Sequence, residues 1–470
     1  MERRSHYDAA IIGAGQAGGP LATALALVGR QVALIERKYV GGTCVNEGCT
    51  PTKTMVASAR VAHVVRRAGD YGVEVDGLRI DMERVRRRKR DMVLQFRNGS
   101  RRRIEEAEGV TLIRGEAAFA QQDVAAAGFA LDIALPDGGR ETITADRVIL
   151  NTGARPRLPK LPGLADVPYL NSTTIMELDH APEHLLVLGG GYIGLEFGQM
   201  FRRFGSRVTI VQRGDQLLGR EDPDVAEAVT EILREDGIPV LLRASAREVR
   251  SGSDGEIHLK VAVAGEEQTL VGSHLLVATG RVPNTDALNL DAVGVETDDR
   301  GFVRVSPGLE TNVPEVYAVG DVNGGPGFTH ISYDDFRILR ENLLRDGHAR
   351  TTERIVPYTV FIDPQLGRVG LSEQAARAQG YAVEVAKLPM SYVARALEVD
   401  EQRGLMKAVV DGDTQQILGC AILGIEGGEI ATMIQIAMMG GLRYPALRDG
   451  VFSHPTLGES LNNLFGMLDG

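Results

Sequence analysis

Two glycine-rich segments constrain this chain more than any other feature. Gly13-Ala14-Gly15-Gln16-Ala17-Gly18 follows the short apolar run Ala9–Ile12 and precedes a second apolar run, Pro20–Val28. A third run, Val32–Ile35, ends at Glu36, eighteen residues past the last glycine. That order predicts a strand, a tight turn, a helix and a second strand. Gly13 permits the turn, Gly15 lets backbone approach a pyrophosphate, Gly18 lets helix pack close to strand, and Glu36 can accept from ribose hydroxyls. The unit then recurs. Leu185–Leu188 leads into Gly189-Gly190-Gly191-Tyr192-Ile193-Gly194, a helix over Leu195–Phe204 and a strand over Val208–Val211. Gly189, Gly191 and Gly194 complete the second set, so neither copy is degenerate. Two dinucleotide folds imply two dinucleotides, one held tightly and one exchanged, the simplest arrangement for electron transfer.

The copies differ just past their second strands. Where an NAD-specific fold places an acid, the second copy has Gln212-Arg213, with Arg220 seven residues on. A carboxylate there would repel a 2′-phosphate and an arginine would pair with it, which favours NADPH over NADH. The alternative is that Arg213 is a solvated loop residue. Two similar stretches, Asn151-Thr152-Gly153-Ala154-Arg155-Pro156 and Ala278-Thr279-Gly280-Arg281-Val282-Pro283-Asn284, bracket the second copy and read as crossings between domains. Their likeness implies that the second nucleotide domain is inserted into the first. Val316–Val319 then reads as a buried strand ending in Gly320-Asp321, an acid at the strand end that faces the ligand crevice of such a sheet.

Shortly after the first fingerprint stands Gly41-Gly42-Thr43-Cys44-Val45-Asn46-Glu47-Gly48-Cys49-Thr50-Pro51-Thr52-Lys53, which holds two of the chain's 3 cysteines. Residues five apart on a bent helical turn can bring their sulfurs within bonding distance. In a cysteine-poor chain such a pair points to catalysis rather than to a structural staple. Near the other end, Ser453-His454-Pro455-Thr456-Leu457-Gly458-Glu459 places a histidine and a carboxylate where they can meet across a turn. Such a pair is structural in many proteins; here a dithiol needs an acid and base. Cys420, in a run Ile417–Leu423 that reads as a strand, fits a small buried apolar residue.

At 470 residues the chain is too long for one core and suggests about three domains. Its net charge of −11 argues against general nucleic-acid binding. The basic run Arg84–Arg103 alone points the other way. Val85, Met92, Val93 and Phe96 are spaced for one helical face, so the run reads as a solvated amphipathic helix, with salt-sensitive DNA retention as the discriminating test. Met1–Asp8 is short and polar and leaves no room for a signal peptide. The longest apolar runs, Leu21–Val28 and Ile430–Gly441, are too short or interrupted to span a bilayer, and a cytoplasmic location is the expectation.

Taken together, these motifs resemble the class I flavoprotein disulfide reductases, or pyridine nucleotide-disulfide oxidoreductases, over essentially the whole chain. The mercuric-reductase-like and dihydrolipoamide-dehydrogenase-like branch is nearest. The resemblance implies an α/β fold with two Rossmann-like domains: FAD-binding (1–155 and 282–348), an inserted NAD(P)H domain (156–281), and a C-terminal α+β dimerisation domain (349–470). It implies a homodimer with active sites shared across the interface, no nucleic acid and no membrane. FAD would be held by Gly13, Gly15, Gly18, Glu36, Gly42, Thr43, Lys53, Thr152, Gly153, Gly320 and Asp321. NADPH would be held by Gly189, Gly191, Tyr192, Gly194, Arg213, Arg220 and Gly280. Cys49 would lie against the flavin as charge-transfer thiol and Cys44 would be the exposed interchange thiol. Lys53 and Glu196 match a pair placed near flavin N5, and Tyr192 matches an aromatic over the nicotinamide pocket. His454 and Glu459 would serve the other subunit's site. Hydride would pass from NADPH to the flavin, an electron pair would pass through Cys49 to the Cys44–Cys49 disulfide, and Cys44 would attack the substrate.

The acceptor is open at this level. A small disulfide is the leading reading. Thr50–Met55 and Phe328–Asp335 look like the mercuric-reductase branch, yet the tail Asn463–Gly470 has no delivery cysteines and His454 is present. Copper or oxidant products form a related option, and an NAD-dependent dihydrolipoamide dehydrogenase is another. No metal site of the protein's own is expected. A redox-inactive flavin scaffold or a transhydrogenase would not need the intact dithiol.

Overall fold

A computed structural model describes residues 5–121 and 128–468; residues 1–4, half of the short polar N-terminal stretch, lie outside them. The chain divides into two compact units, Met1–Thr54 with Arg86–Arg157 and Arg281–Arg354, and Met55–Val85 with Leu158–Gly280 and Ile355–Gly470.

In the first unit the parallel strands run Val110–Arg114, Val32–Glu36, His6–Ile12, Arg140–Leu150 and Val316–Ala318 in spatial order. Strand Arg140–Leu150 serves two sheets' worth of pairing. Its C-terminal half lies parallel between His6–Ile12 and Val316–Ala318, while its N-terminal half pairs antiparallel with Phe129–Ala134, which pairs with Glu116–Phe119. The central strands are apolar over Ala9–Ile12, Val32–Ile35 and Val148–Leu150, where both faces are covered. Successive residues divide between two cores, as a period of two requires. Ile11, Leu34 and Ile149 pack with Leu21, Leu25, Phe336 and Leu339 of helices Gly18–Leu27 and Thr329–Leu344. Their neighbours Ile12, Ile35 and Leu150 pack with Phe119 and Leu131 of the antiparallel strands. The two crossings pair with each other as a short ribbon, Ala154–Pro156 against Arg281–Pro283.

The second unit repeats the plan. Its parallel order is Val240–Leu241, Arg207–Val211, His184–Leu188, His274–Val277 and Tyr169–Leu170. Leu185, Val187 and Ile210 face Phe197, Phe201 and Phe204 of helix Tyr192–Phe204 and Val225 and Val229 of helix Pro223–Glu235. Leu186, Leu188 and Val211 face a three-stranded meander through Val249, Leu259 and Val261. The same unit carries a five-stranded antiparallel sheet, ordered Pro357–Val360, Gln365–Gly370, Ile417–Gly424, Leu405–Asp411, Val383–Pro389. Ile430 and Ile434 of helix Gly427–Met439 and Leu461, Leu464 and Phe465 of helix Ser460–Gly466 close its core. Cys420 is fully buried there, and burial pushes its thiol up to about 12, so it is chemically inert filling.

The basic run forms helix Met82–Glu105. Of the expected face Val93 is buried and Val85 and Met92 are half-buried, but Phe96 is exposed, while Met82 and Lys89, which the face did not include, are buried. The expected apolar face is therefore corrected at Phe96, and a lysine two turns earlier is buried instead. A four-carbon stem can fill such a slot.

Candidate redox and dinucleotide sites

The cysteine segment folds as two helices, Gly42–Asn46 and Cys49–Arg66, so Cys49 opens an 18-residue helix. The positive end of that helix favours negative charge on the Cys49 sulfur. Thr329 Oγ1, from the start of helix Thr329–Leu344, lies 3.2 Å from Cys49 Sγ. Both cysteines are free thiols, with Cys44 partly buried and Cys49 exposed in the single chain. The Cys44 thiol is pushed far above its ordinary range, first by its hydrogen bond with Cys49, then by burial and by the charge of Cys49.

Glycines let the redox segment lie against the first fingerprint. Gly42 has φ +61°, and a Cβ built on it would stand 2.9 Å from Gly15 Cα. Gly41 N–H donates to Ala14 O at 2.8 Å, and Gln16 Nε2 donates to Gly41 O at 3.0 Å. From the outer side, Asn46 Nδ2 donates to Gly42 O (2.8 Å) while Asn46 Oδ1 accepts from Arg97 Nε (2.6 Å). Arg97 also sits 3.8 Å from the centroid of the Tyr39 ring, and Arg88 donates to Thr54 O at 2.7 Å. Part of the basic helix thus braces the dithiol segment.

The fingerprint itself is tied to the crossing. Gly13, at φ +107°, has Asn151 O where a Cβ would stand, at 2.3 Å. Buried Asn151 accepts from Gly18 N–H (2.9 Å) and donates to Val319 O (3.0 Å). Glu36 Oε2 accepts from Ala14 N–H (2.9 Å) and Oε1 from Lys38 N–H (2.8 Å). Gly320 N–H donates to Asp335 Oδ2 (2.8 Å), and Asp335 Oδ1 is paired with Arg354 at 2.7 Å. Burial raises the Asp321 carboxyl, with Arg281 3.8 Å away lowering it again. Thr152 Oγ1 is buried without a hydrogen-bond partner among the described residues. That orphaned hydroxyl at the end of the fingerprint edge fits a dinucleotide lying along it.

The second fingerprint has the same backbone. Gly189 has φ +119°, and its Cβ would meet Ala278 O at 2.4 Å. Gly190 N–H donates to Gln212 Oε1 at 3.0 Å. A Cβ on Gly191 would meet nothing within 4 Å. Tyr192 begins the helix, half-buried, and Arg213 and Arg220 are exposed. Glu196 is buried and its Oε1 accepts from Phe361 N–H at 2.9 Å. Glu196 lies in the second unit and Lys53 in the first. Also in the second unit, His454 Nδ1 meets Glu459 Oε2 at 2.8 Å and Oε1 at 3.1 Å, with the imidazole exposed.

Sequence reasoning missed Asn151, Thr329, Asp335, Arg354 and Arg97 as site residues. Asn151 had a signal, a polar side chain at the end of an apolar strand. Thr329 had none, since 280 residues separate it from Cys49.

A dithiol on a helix start, two dinucleotide folds and an oriented histidine define a nucleotide-linked thiol oxidoreductase. Residues 7–335 match the model of pyridine nucleotide-disulphide oxidoreductases, and residues 356–465 match the dimerisation domain of the same proteins. The chain belongs to that family, the flavoprotein disulfide reductases, which use FAD and a pyridine nucleotide. It is 38% identical over 466 residues to the "probable pyridine nucleotide-disulfide oxidoreductase RclA" of Escherichia coli (strain K12), covering 98% of this chain and 99% of that one. It is 34% identical over 456 residues to mercuric reductase of Bacillus cereus, covering 97% of this chain and 70% of that one. A solved structure titled as a Cu(II) complex of the HOCl-induced flavoprotein disulfide reductase RclA from Escherichia coli superposes with a TM-score of 0.89 at 37% identity, covering 99% of this chain and 100% of that one. Among the described residues no helix is long and apolar enough to cross a membrane.

Proposed function

We propose that this chain is a homodimeric, FAD-dependent reductase that takes electrons from NADPH and delivers them through Cys44 and Cys49 to a small disulfide. The observation that carries the reading is the dithiol itself: a thiol at a helix start, coupled to its neighbour, packed against a dinucleotide fingerprint through Gly42. We assign 1–155 and 282–348 to FAD binding, 156–281 to NADPH binding and 349–470 to dimerisation. The segments around Gly13, Gly15, Gly18, Glu36, Thr152 and Asp321 would hold FAD. When bound, FAD supplies the exchange of a hydride for an electron pair that returns the Cys44–Cys49 disulfide to the dithiol.

The chain's own residues do the rest. The Cys44 thiol, raised by its hydrogen bond with Cys49 and by burial, needs a base to become a nucleophile. His454 of the partner subunit would take that proton, its Nδ1 fixed by a carboxylate so that Nε2 is presented. The Cys44 thiolate attacks one sulfur of the substrate, forming a mixed disulfide and expelling one thiolate, which the imidazolium protonates. Cys49 thiolate then attacks Cys44 sulfur, closes the disulfide and expels the second thiolate. Two electrons leave the dithiol, and the products leave as one thiol, carrying the Cys44 proton, and one thiolate that takes its proton from water. A second acceptor, Cu(II), is favoured by the copper complex recorded for the 37% identical relative; the dithiol of this chain would then close to its disulfide by passing one electron to each of two Cu(II) ions, giving two Cu(I) and releasing the thiol protons.

The test is NADPH consumption by the purified FAD-loaded dimer against lipoamide, glutathione disulfide, other small disulfides, Hg(II) and Cu(II). Turnover of one disulfide, lost in Cys44→Ser, is expected. Turnover with metal ions alone moves the reading to the second acceptor, and unchanged disulfide turnover in Cys44→Ser overturns the dithiol assignment.

A further inference from the structure

The loop after strand Arg207–Val211 carries both exposed arginines, Arg213 and Arg220, and is held at each end. At its start Gln212 Oε1 accepts from Gly190 N–H in the fingerprint, and Gln212 Nε2 donates to Gln216 O (3.1 Å). In its middle Leu218 N–H donates to Gly190 O (2.9 Å), and Leu218 has φ +46°. At its end Gln216 Nε2 donates to Glu221 O (2.9 Å) and Glu221 N–H to Leu218 O (2.8 Å). Residue 221 is therefore the terminus of a hydrogen-bond chain that begins at the fingerprint.

Glu221 is itself locked by the C-terminal sheet. It is 4% exposed and Arg368 is 5% exposed. Tyr358 Oη donates to Glu221 Oε1. Arg368 Nε stands 3.1 Å from Glu221 Oε2, an ion pair without hydrogen-bond alignment, and Arg368 donates to Cys420 O at 2.8 Å. The next residue is pinned as well. Asp222 accepts from Glu373 N–H (2.9 Å) and Gln374 N–H (3.1 Å) and lies 3.0 Å from Lys407 Nζ. Lys407 in turn meets Asp224 at 3.0 Å and Glu373 at 2.8 Å. A buried ion pair adds little net stability over apolar packing of the same volume, and its best-attested use is to fix one arrangement among several. Here the arrangement fixed is that of the segment adjoining Arg220.

We propose that Glu221, clamped by Tyr358 and Arg368, is a positioning residue that presents Arg213 and Arg220 to a 2′-phosphorylated nicotinamide nucleotide, so that the dimerisation domain sets nucleotide choice. This rests on reading the second fingerprint as an NADPH site.

The test is steady-state kinetics of the FAD-loaded dimer with NADPH and with NADH at saturating acceptor, on wild type, Tyr358→Phe, Glu221→Gln and Arg368→Lys. Losing the Tyr358 hydrogen bond should raise KM for NADPH about fivefold, with kcat, KM for NADH and flavin content unchanged. Glu221→Gln should raise it further, and Arg368→Lys should fall between wild type and Glu221→Gln. Adenosine 2′,5′-bisphosphate, titrated calorimetrically, should weaken in the same order. Equal changes for NADPH and NADH, or a lowered Tm with no change in either KM, would overturn the positioning role. Should wild type prefer NADH, the NADPH reading fails by itself; a KM for NADPH that Tyr358→Phe also leaves unchanged would sink the clamp too.

Discussion

The two fingerprints are built on one backbone and differ in three side chains. Gly13 and Gly189 share a left-handed conformation and press on the carbonyls of Asn151 and Ala278. In the first copy the amide at the second fingerprint position, Ala14 N–H, is held by Glu36; in the second the matching amide, Gly190 N–H, is held by Gln212. One bond is charge-assisted and the other neutral. The first copy adds an Asn151 side chain that ties helix to strand end, where the second has only the methyl of Ala278. The backbone requirement of a pyrophosphate is thus met twice, while charge and rigidity are distributed unequally. A tied, acidic cradle suits a dinucleotide that stays; a neutral one followed by exposed arginines suits one that exchanges and carries a 2′-phosphate.

The largest expected effect comes from alanine at the two turn glycines. Gly13→Ala places a methyl 2.3 Å from a carbonyl at φ +107° and should yield protein without flavin. Gly189→Ala faces 2.4 Å at φ +119° and should keep its flavin but fail to be reduced by NADPH. Flavin absorbance and anaerobic reduction separate the two. Equal flavin loss in both would break the assignment of one nucleotide to each copy. Next, Asn151→Ala should make the first copy resemble the second. It leaves Gly18 N–H and Val319 O without their partner and should cost about 1–3 kcal/mol in denaturant unfolding. Gln212→Glu should lower kcat/KM for NADPH by about tenfold, a change of ~1.4 kcal/mol, while leaving NADH nearly untouched.

The smallest effect is on acid stability, and its sign should differ between the copies. Burial raises Asp321, and it raises Asp335 against the pull of Arg354, so those carboxyls weaken the fold at neutral pH and the cost eases as pH falls through their raised values. Burial would also raise Asp222 and Asp224. For Asp222 the amides of Glu373 and Gln374 and then Lys407 outweigh it; for Asp224 Lys387 and Lys407 do, and both carboxyls end below 3.8. Their stabilisation is complete above that value and is lost as pH falls through the lowered ones. Asp224→Asn should therefore lower Tm at pH 6, with the deficit shrinking as pH falls below 3.8. A Tm deficit that persists unchanged in acid would contradict the linkage.

Much of this was legible in the chain before its fold. The fingerprints, their strands, the ribbon of crossings and the buried strand of Cys420 arise from apolar runs punctuated by glycine, which are local signals. The Gly41-Gly42 pair could be quoted but not explained, because its reason is the approach of Gly15 from another segment. Thr329, Asp335 and Arg354 reach their partners through the sheet's crossover order, and periodicity carries no trace of such contacts. Lys89 is buried and Phe96 exposed against the expected pattern, because hydrophobic spacing cannot register a buried aliphatic stem.

The measurement that bears most directly on the comparison is the ratio of kcat/KM for NADPH to that for NADH, in wild type and in an Arg213→Ala, Arg220→Ala double variant, with flavin content recorded for each. Wild type should prefer NADPH, and the double variant should lose that preference while its flavin stays fully bound. A wild-type enzyme that prefers NADH, with a double variant identical to it, would contradict the reading of the second copy as the exchanging, phosphate-selective site.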